Sequence, residues 1–234
     1  MQWLNATLES EYDLVRVWRD TPKMAVRQLR HKTLGRDMVC LCFEGDGAVY
    51  RLLQTVRHPH LPRIYEVRQE GNRCLVLEEY LSGSTVAQIL ENGLYTEDGV
   101  RRVMAAVCEG VGFLHRHGYI HRDIKPENVM VCDDGRVVLL DFDIAREYKP
   151  HARQDTCVIG TAGYAAPEQF GVAQTDTRSD LFAMGVMMNV MLTGQHPTRQ
   201  AAIGKLAPII EKCTQLDPNK RYADVWELKE RLLY

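Results

Sequence analysis

Apolar and polar residues alternate from Tyr12 to Trp18 (YDLVRVW) and again from Ala25 to His31 (AVRQLRH), a two-residue period that predicts strands. Arg19 to Met24 joins them without a glycine. Leu34-Gly35-Arg36-Asp37 predicts a turn, and Met38 to Phe43 (MVCLCF) a third strand. Glu44-Gly45-Asp46-Gly47 leads into a short helix over about residues 48–56. His58-Pro59-His60-Leu61-Pro62 ends it, because proline cannot continue a helix. Arg63 to Arg68 and Cys74 to Tyr80 read as two further strands, joined at Glu70-Gly71-Asn72.

From Ser84 the period becomes helical. Thr85 to Asn92 forms a short helix with Gly93 as its C-terminal cap. A long helix runs from Thr96-Glu97-Asp98 to about His117, with Val100, Val103, Met104, Val107, Val111 and Leu114 on one face. Thr96 suits the N-cap and the two acids suit the positive end of the helix dipole. Val129 to Cys132 and Val137 to Leu140 are short apolar runs joined by Asp133-Asp134-Gly135, a hairpin signal. That hairpin folds the chain back, so Asp123 and Asn128 before it and Asp141 after it come to one place. Arg178 to Thr193 is apolar enough to be buried all round, and helices over about 201–215 and 223–233 close the chain. No internal repeat, low-complexity segment or long linker interrupts the order.

Composition narrows the class. At 234 residues the chain can bury a core in one domain or two small lobes. Lys plus Arg (29) nearly balances Asp plus Glu (31), which points to neither nucleic acid nor an acidic membrane surface as a partner. No apolar run approaches the ~20 residues that span a bilayer, and MQWLNATLES is no signal peptide, so a cytoplasmic protein is expected. Seven cysteines without framework spacing imply reduced thiols.

The chemistry concentrates between Tyr119 and Phe142. His121-Arg122-Asp123, with Asn128 after four intervening residues, then Asp141-Phe142 and the later Ala166-Pro167-Glu168, resembles the catalytic, metal and activation segments of protein kinases. With Lys125 two residues after Asp123, the form is that of the eukaryotic-type serine/threonine kinases found in bacteria. The resemblance implies an α+β, bilobal fold: a five-stranded antiparallel sheet plus one helix (about 1–80) on a mostly helical lobe (about 81–234), together one kinase-like domain. It implies Asp123 as proton acceptor, Lys125 beside the moving phosphoryl group, Asp141 and Asn128 on Mg²⁺, and ATP as the second cofactor. Thr161 would contact Asp123 and Lys125, and the segment through Tyr164 would seat a protein substrate. Arg122 fits an arginine that receives a phosphate, with Thr156, then Tyr148, as its source. Glu168 and Arg221 fit a buried ion pair, and Asp180 the acid that anchors the catalytic-loop backbone. Val26, Cys40 and Met130 would contact adenine, and Glu79 to Leu81 would form the hinge, with Glu78 before it.

The N-terminal part departs from the family. The G-x-G-x-x-G-x-V register reads Arg19-Asp20-Thr21-Pro22-Lys23-Met24-Ala25-Val26, with no glycine to let amides approach phosphate. Where V-A-I-K is usual, the strand reads Val39-Cys40-Leu41-Cys42, placing a cysteine at the lysine, and its helix partner falls at Val49. Lys23 is the nearest substitute cation, with Lys32 weaker. Asp143 replaces the glycine of Asp-Phe-Gly, either as a residue tolerant of a left-handed backbone or as a further oxygen near the metal. Two functions therefore stand: a serine/threonine kinase with an altered nucleotide clamp, or a pseudokinase that scaffolds or regulates a partner protein. A small-molecule kinase is disfavoured by the peptide-seating segment Gly160 to Glu168.

Overall fold

Within the first 82 residues, one of two units into which the chain divides, the alternating segments pair into one antiparallel sheet. Its strands are β1 (Tyr12–Asp20), β2 (Met24–His31), β3 (Asp37–Glu44), β4 (Ile64–Glu70) and β5 (Arg73–Glu79), in the order β1-β2-β3-β5-β4. One helix, α1 (Ala48–Gln54), packs on it. The structure is a computed structural model, and describes residues 10–148, 161, 163–170 and 175–233. Thr156 and Gly160 lie outside the described residues.

The alternation of β1 does not produce a buried face. Its pairing with β2 skips at Leu14/Arg16 and at Val17/Arg19, and each skip turns the following side chains over. Leu14, Val15, Val17 and Trp18 are all exposed, as are the polar residues between them, so neither face of β1 is covered. The other strands keep strict registers along β2–β3 and β3–β5, so Val26 stands opposite Leu41, and Leu41 opposite Val76. Helix α1 covers the face that carries Phe43, whose ring lies 5.5 Å from that of Tyr50.

The second unit, residues 83–234, is mainly helical. A short strand β6 (Gly83–Thr85) precedes α2 (Val86–Leu90), whose start is fixed by a reciprocal Thr85–Gln88 capping box. Helix α2 stops at Leu90 with Glu91 as its cap, two residues before Gly93. Helix α3 (Glu97–Arg116) starts where Thr96 accepts a hydrogen bond from the Gly99 amide, and buries the predicted apolar stripe. Strand β7 (Tyr119–Ile120) leads into the catalytic-type loop, then β8 (Val129–Cys132) and β9 (Val137–Leu139) form the hairpin. Strand β10 (Arg146–Glu147) returns to pair with β7.

Helix α4 (Thr177–Thr193) is buried over most of its surface, capped by Asp176 at one end and by left-handed Gly194 at the other. Helix α5 is only Ala207–Cys213, shorter than the apolar pattern predicts. Gly204 at φ +102° turns the chain just before it, and Glu97 accepts the Lys205 amide, so residues 201–206 take a loop path. Helix α6 (Val225–Leu233) ends the described chain, packing on α3 where Gly112 lies against the Trp226 ring. No helix among the described residues is long and apolar enough to cross a membrane.

Candidate active site

The site is built on one buried carboxylate. Asp180, on the first turn of α4, is fully buried and accepts the His121 amide on Oδ2 (2.9 Å) and the Arg122 amide on Oδ1 (2.8 Å). His115, from the last turn of α3, donates Nε2–H to the same Oδ2 at 2.8 Å. Burial alone would push this carboxyl up, but the His115 bond and the amides outweigh it and hold it below the ordinary value. These bonds force Arg122 into a left-handed backbone, φ +72°, a conformation costly for a residue with a Cβ. The turn that results presents Asp123 to the opposite side.

Asp123 is held from three directions. Lys125 Nζ donates to Oδ2 at 2.6 Å, Thr161 Oγ1–H donates to Oδ1 at 2.6 Å, and Asn128 Nδ2 donates to Oδ2 and to the Asp123 carbonyl at 2.9 Å each. Lys125 also donates to Thr161 Oγ1 at 2.8 Å. Burial raises the Asp123 carboxyl, yet the Lys125 and Thr161 bonds win and hold it below the usual range. It is ionised at neutral pH, an acceptor of moderate strength. Asn128 sits in a one-turn 3₁₀ segment (Pro126–Asn128), and its carbonyl accepts the Leu140 amide at 2.8 Å. That bond ties the loop to the strand that delivers Asp141.

Asp141 is the second left-handed residue of this region, φ +64°. Phe142 beside it is buried and meets the His121 ring edge-on at 5.2 Å, while His121 shares a hydrogen bond with the Leu140 carbonyl at 3.1 Å. Asp141 Oδ1 is buried and has no hydrogen-bond partner among the described residues. Burial first, then the carboxylate and hydrogen bond of Asp143, push the Asp141 carboxyl up to about 7. An orphaned acid oxygen beside a like charge is suited to a cation, so the residues fit a Mg²⁺ site. Asp143 does not take a left-handed backbone: Arg122 and Asp141 are the only non-glycine residues with positive φ among those described. Tolerance of such a conformation therefore does not explain the aspartate.

The Glu168–Arg221 pair is bidentate, 2.6 and 3.0 Å, with both side chains buried. Ser179 Oγ also donates to Glu168 at 2.7 Å, and the Arg221 guanidinium lies over the Phe182 ring. Sequence reasoning missed three supports. Gln169 donates to the Arg122 carbonyl (3.1 Å) and accepts the Ala166 amide (3.0 Å). His115 and Ser179 are the others, and nothing short of the fold marks them. Arg122 is buried, with Nη2 donating to Thr175 Oγ1 at 3.4 Å, and Tyr148 is exposed. Met130, in β8, is half-buried opposite Val138.

The N-terminal unit separates residues the sequence had grouped. Residues directly opposite on adjacent strands share a face. Val26 pairs with Leu41, whereas Arg27 pairs with Cys40 and Ala25 with Cys42. Cys40 and Cys42 thus lie on the face opposite to that of Val26, Leu41, Phe43 and α1. A strand lysine must share a face with the helix that carries its glutamate, so its place falls at Leu41 and not at Cys42, with Val39 replacing Cys40. Leu41 and Val49 are both buried, so the ion pair's two positions are apolar. Burial pushes the Cys40 thiol up to about 12, as expected for a core residue packed with Leu29, Leu75 and Leu77.

The β1–β2 turn closes on itself. The Thr21 amide donates to the Met24 carbonyl, the Met24 amide donates to Thr21 Oγ1 (3.0 Å), and Pro22 has no amide. Lys23 is exposed at its tip. Glu78 is buried in β5, Glu79 accepts the Arg63 amide at 3.1 Å, and Leu81 is buried.

Comparison with known proteins agrees with this geometry. The profile of the protein kinase domain matches residues 48–227. The chain is 33% identical over 182 residues to the serine/threonine-protein kinase pkn2 of Myxococcus xanthus, covering 75% of this chain and 22% of that protein. It is 35% identical over 149 residues to PknL of Mycobacterium tuberculosis, covering 63% and 37%. It is 31% identical over 224 residues to PknB of Mycolicibacterium smegmatis, covering 92% and 35%. The chain thus spans well under half the length of these relatives. With the anchored His-Arg-Asp loop, the Asp141 turn and the Glu168–Arg221 pair in place, the chain belongs to the protein kinase family.

Proposed function

We propose that the chain transfers the γ-phosphoryl group of ATP to a serine or threonine hydroxyl of a protein. The observation that carries this reading is the Asp123 carboxylate, ionised and fixed between Lys125, Thr161 and Asn128. A substrate hydroxyl oxygen bonds to the γ-phosphorus while the bridging P–O bond breaks, and its electron pair leaves on ADP. Asp123 orients the hydroxyl and takes its proton late in the transfer. Lys125 places positive charge beside the moving group. Asp141 and Asn128 are the residues that would hold Mg²⁺, which when bound would neutralise phosphate charge.

The N-terminal unit supports a weakened clamp on the phosphates: its turn bonds the Thr21 and Met24 amides within itself, and Leu41 stands in the lysine's place. Lys23 at the turn is the replacement cation we assign, and Val26, Val39, Glu79 and Leu81 are this unit's contribution to nucleotide binding. The same two observations favour the second reading, a pseudokinase that binds a partner protein without turnover. Balanced charge, and cysteines that form no disulfide among the described residues, support a cytoplasmic setting without nucleic acid.

Thermal unfolding with and without Mg²⁺-ATP, followed by a phosphotransfer assay, separates the two. The kinase reading expects a Mg²⁺-dependent rise in melting temperature, and transfer that Asp123→Asn abolishes. A protein that gives no transfer at millimolar nucleotide is the pseudokinase.

A further inference from the structure

We propose that His196 is a positioning residue for the phosphoacceptor protein, holding the turn over residues 161–165 against which the acceptor segment lies. The turn's role rests on the kinase reading, its support on geometry alone. Thr161 links the turn to the reacting groups, since its Oγ1–H donates to Asp123 Oδ1 at 2.6 Å. The Tyr164 and Ala165 amides both donate to the Thr161 carbonyl, at 3.0 and 3.1 Å, and close the turn. Gly163, at φ +93°, directs its own carbonyl toward His196. A Cβ there would meet only His196 Cδ2, at 3.9 Å, so backbone conformation and not space calls for glycine. His196 Nε2 lies 2.8 Å from that carbonyl, reaching it from a loop 33 residues further along the chain.

The ring of His196 is fixed in its tautomer. An amide can only donate, and the Thr198 amide approaches His196 Nδ1 at 3.2 Å, with Thr198 Oγ1 2.7 Å from the same nitrogen. Nδ1 is therefore the acceptor, the ring proton sits on Nε2, and Nε2–H donates to the Gly163 carbonyl. The backbone beneath the ring is fixed as well. Asn189 of α4 is fully buried: its Nδ2 donates to the Gln195 and Gln200 carbonyls at 2.8 Å each, and its Oδ1 accepts the Ala202 amide at 2.8 Å. The Arg199 and Gln200 amides turn back onto the His196 carbonyl, at 2.9 and 3.1 Å. One buried side chain thus sets the path of residues 195–202, and with it the place of the imidazole. Gln169, Glu168 and Arg221 hold the far end of the substrate-seating segment, and His196 holds the end beside the reacting groups. Without that bond the turn can carry Thr161 away from Asp123, and a displacement of this kind lowers turnover by as much as about a hundredfold.

Two substitutions separate the bond from the bulk of the ring. His196→Leu keeps the volume and removes the donor, and His196→Gln restores an N–H at a similar reach. Both are checked for an unchanged melting temperature. The first readout needs no turnover: amide hydrogen exchange of the nucleotide-free full chain, followed by mass spectrometry. His196→Leu is expected to speed exchange in the fragment holding Tyr164 and Ala165 by about three- to tenfold, with the fragment holding His121 to Asn128 unchanged. His196→Gln is expected to return the first fragment close to the wild-type rate. The second readout is steady-state phosphotransfer to dephosphorylated casein. There His196→Leu should lower kcat/KM for the acceptor by about tenfold while KM for ATP stays as in the wild type, and His196→Gln should recover most of the loss. Equal exchange in wild type and His196→Leu, or equal changes in the Leu and Gln variants, overturns the proposal. So does faster exchange with acceptor kinetics unaltered, which leaves the kinase reading standing. Exchange that follows the donor in a protein that transfers no phosphate removes the kinase reading and keeps His196 as the holder of the turn, so the two fail separately.

Discussion

Asp180 shows how one residue fixes a site it does not enter. Its carboxylate accepts the His121 and Arg122 amides and the His115 ring, and without it two buried backbone donors and His115 lose this partner. Asp180→Ala is expected to cost about 3–5 kcal/mol in urea unfolding. The pH dependence follows from its depressed carboxyl. A group whose folded value lies below its unfolded one adds stability above about pH 4, and that stability drains away as pH falls through the folded value. Asp180→Asn should therefore be less stable than wild type at pH 6, and should lose less on going from pH 5 to pH 2. Equal slopes for the two proteins would remove Asp180 from the acid response. The motif residues Asp123, Asn128 and Asp141 could be picked out along the chain because their spacing is short. Their supports His115, Gln169 and Ser179 could not, since each reaches its partner from another element.

Among the elements, register decided what periodicity left open. The two-residue period located β2 and β3, but a slip of a single residue exchanges the faces of a strand. That slip separates Cys42 from Leu41. Cys42→Lys should change stability by less than about 1 kcal/mol, because this half-exposed residue lies away from α1. Leu41→Lys puts an ammonium among buried apolar groups and should cost about 3 kcal/mol or more. Chemical denaturation of the two variants checks the assignment, and the reverse order would restore Cys42 as the lysine position. The Glu168–Arg221 pair, which joins the 3₁₀ segment Pro167–Phe170 to the approach of α6, gives a second element-scale test. Glu168→Ala leaves a buried guanidinium uncompensated and should lose about 3–5 kcal/mol, whereas replacing both partners by leucine and methionine should lose less.

Across the whole molecule, ligand linkage is the readable quantity. At 100 times its dissociation constant, Mg²⁺-ATP should add about 2.7 kcal/mol, which for a chain of this size is roughly 5–10 °C in melting temperature. A shift that needs Mg²⁺ and disappears in Asp141→Asn would tie nucleotide affinity to the metal carboxylate. A shift unaffected by that substitution would place the affinity elsewhere. By itself the sequence determined the positions of β1 to β5, the β8–β9 hairpin, the long capped helix α3, the buried helix α4 and the identity of the catalytic loop. These depend on patterns within about twenty residues, where periodicity, caps and turn chemistry act locally. Only the tertiary structure decided that β1 skips twice and buries no face, that the lysine's place belongs to Leu41, and that residues 201–206 are not helical. It also decided that Asp143 stands against Asp141 with an ordinary backbone. Each of these turns on which strand, helix end or side chain lies opposite, and pairings between distant segments are set by the packing of the whole unit and not by any one stretch of chain.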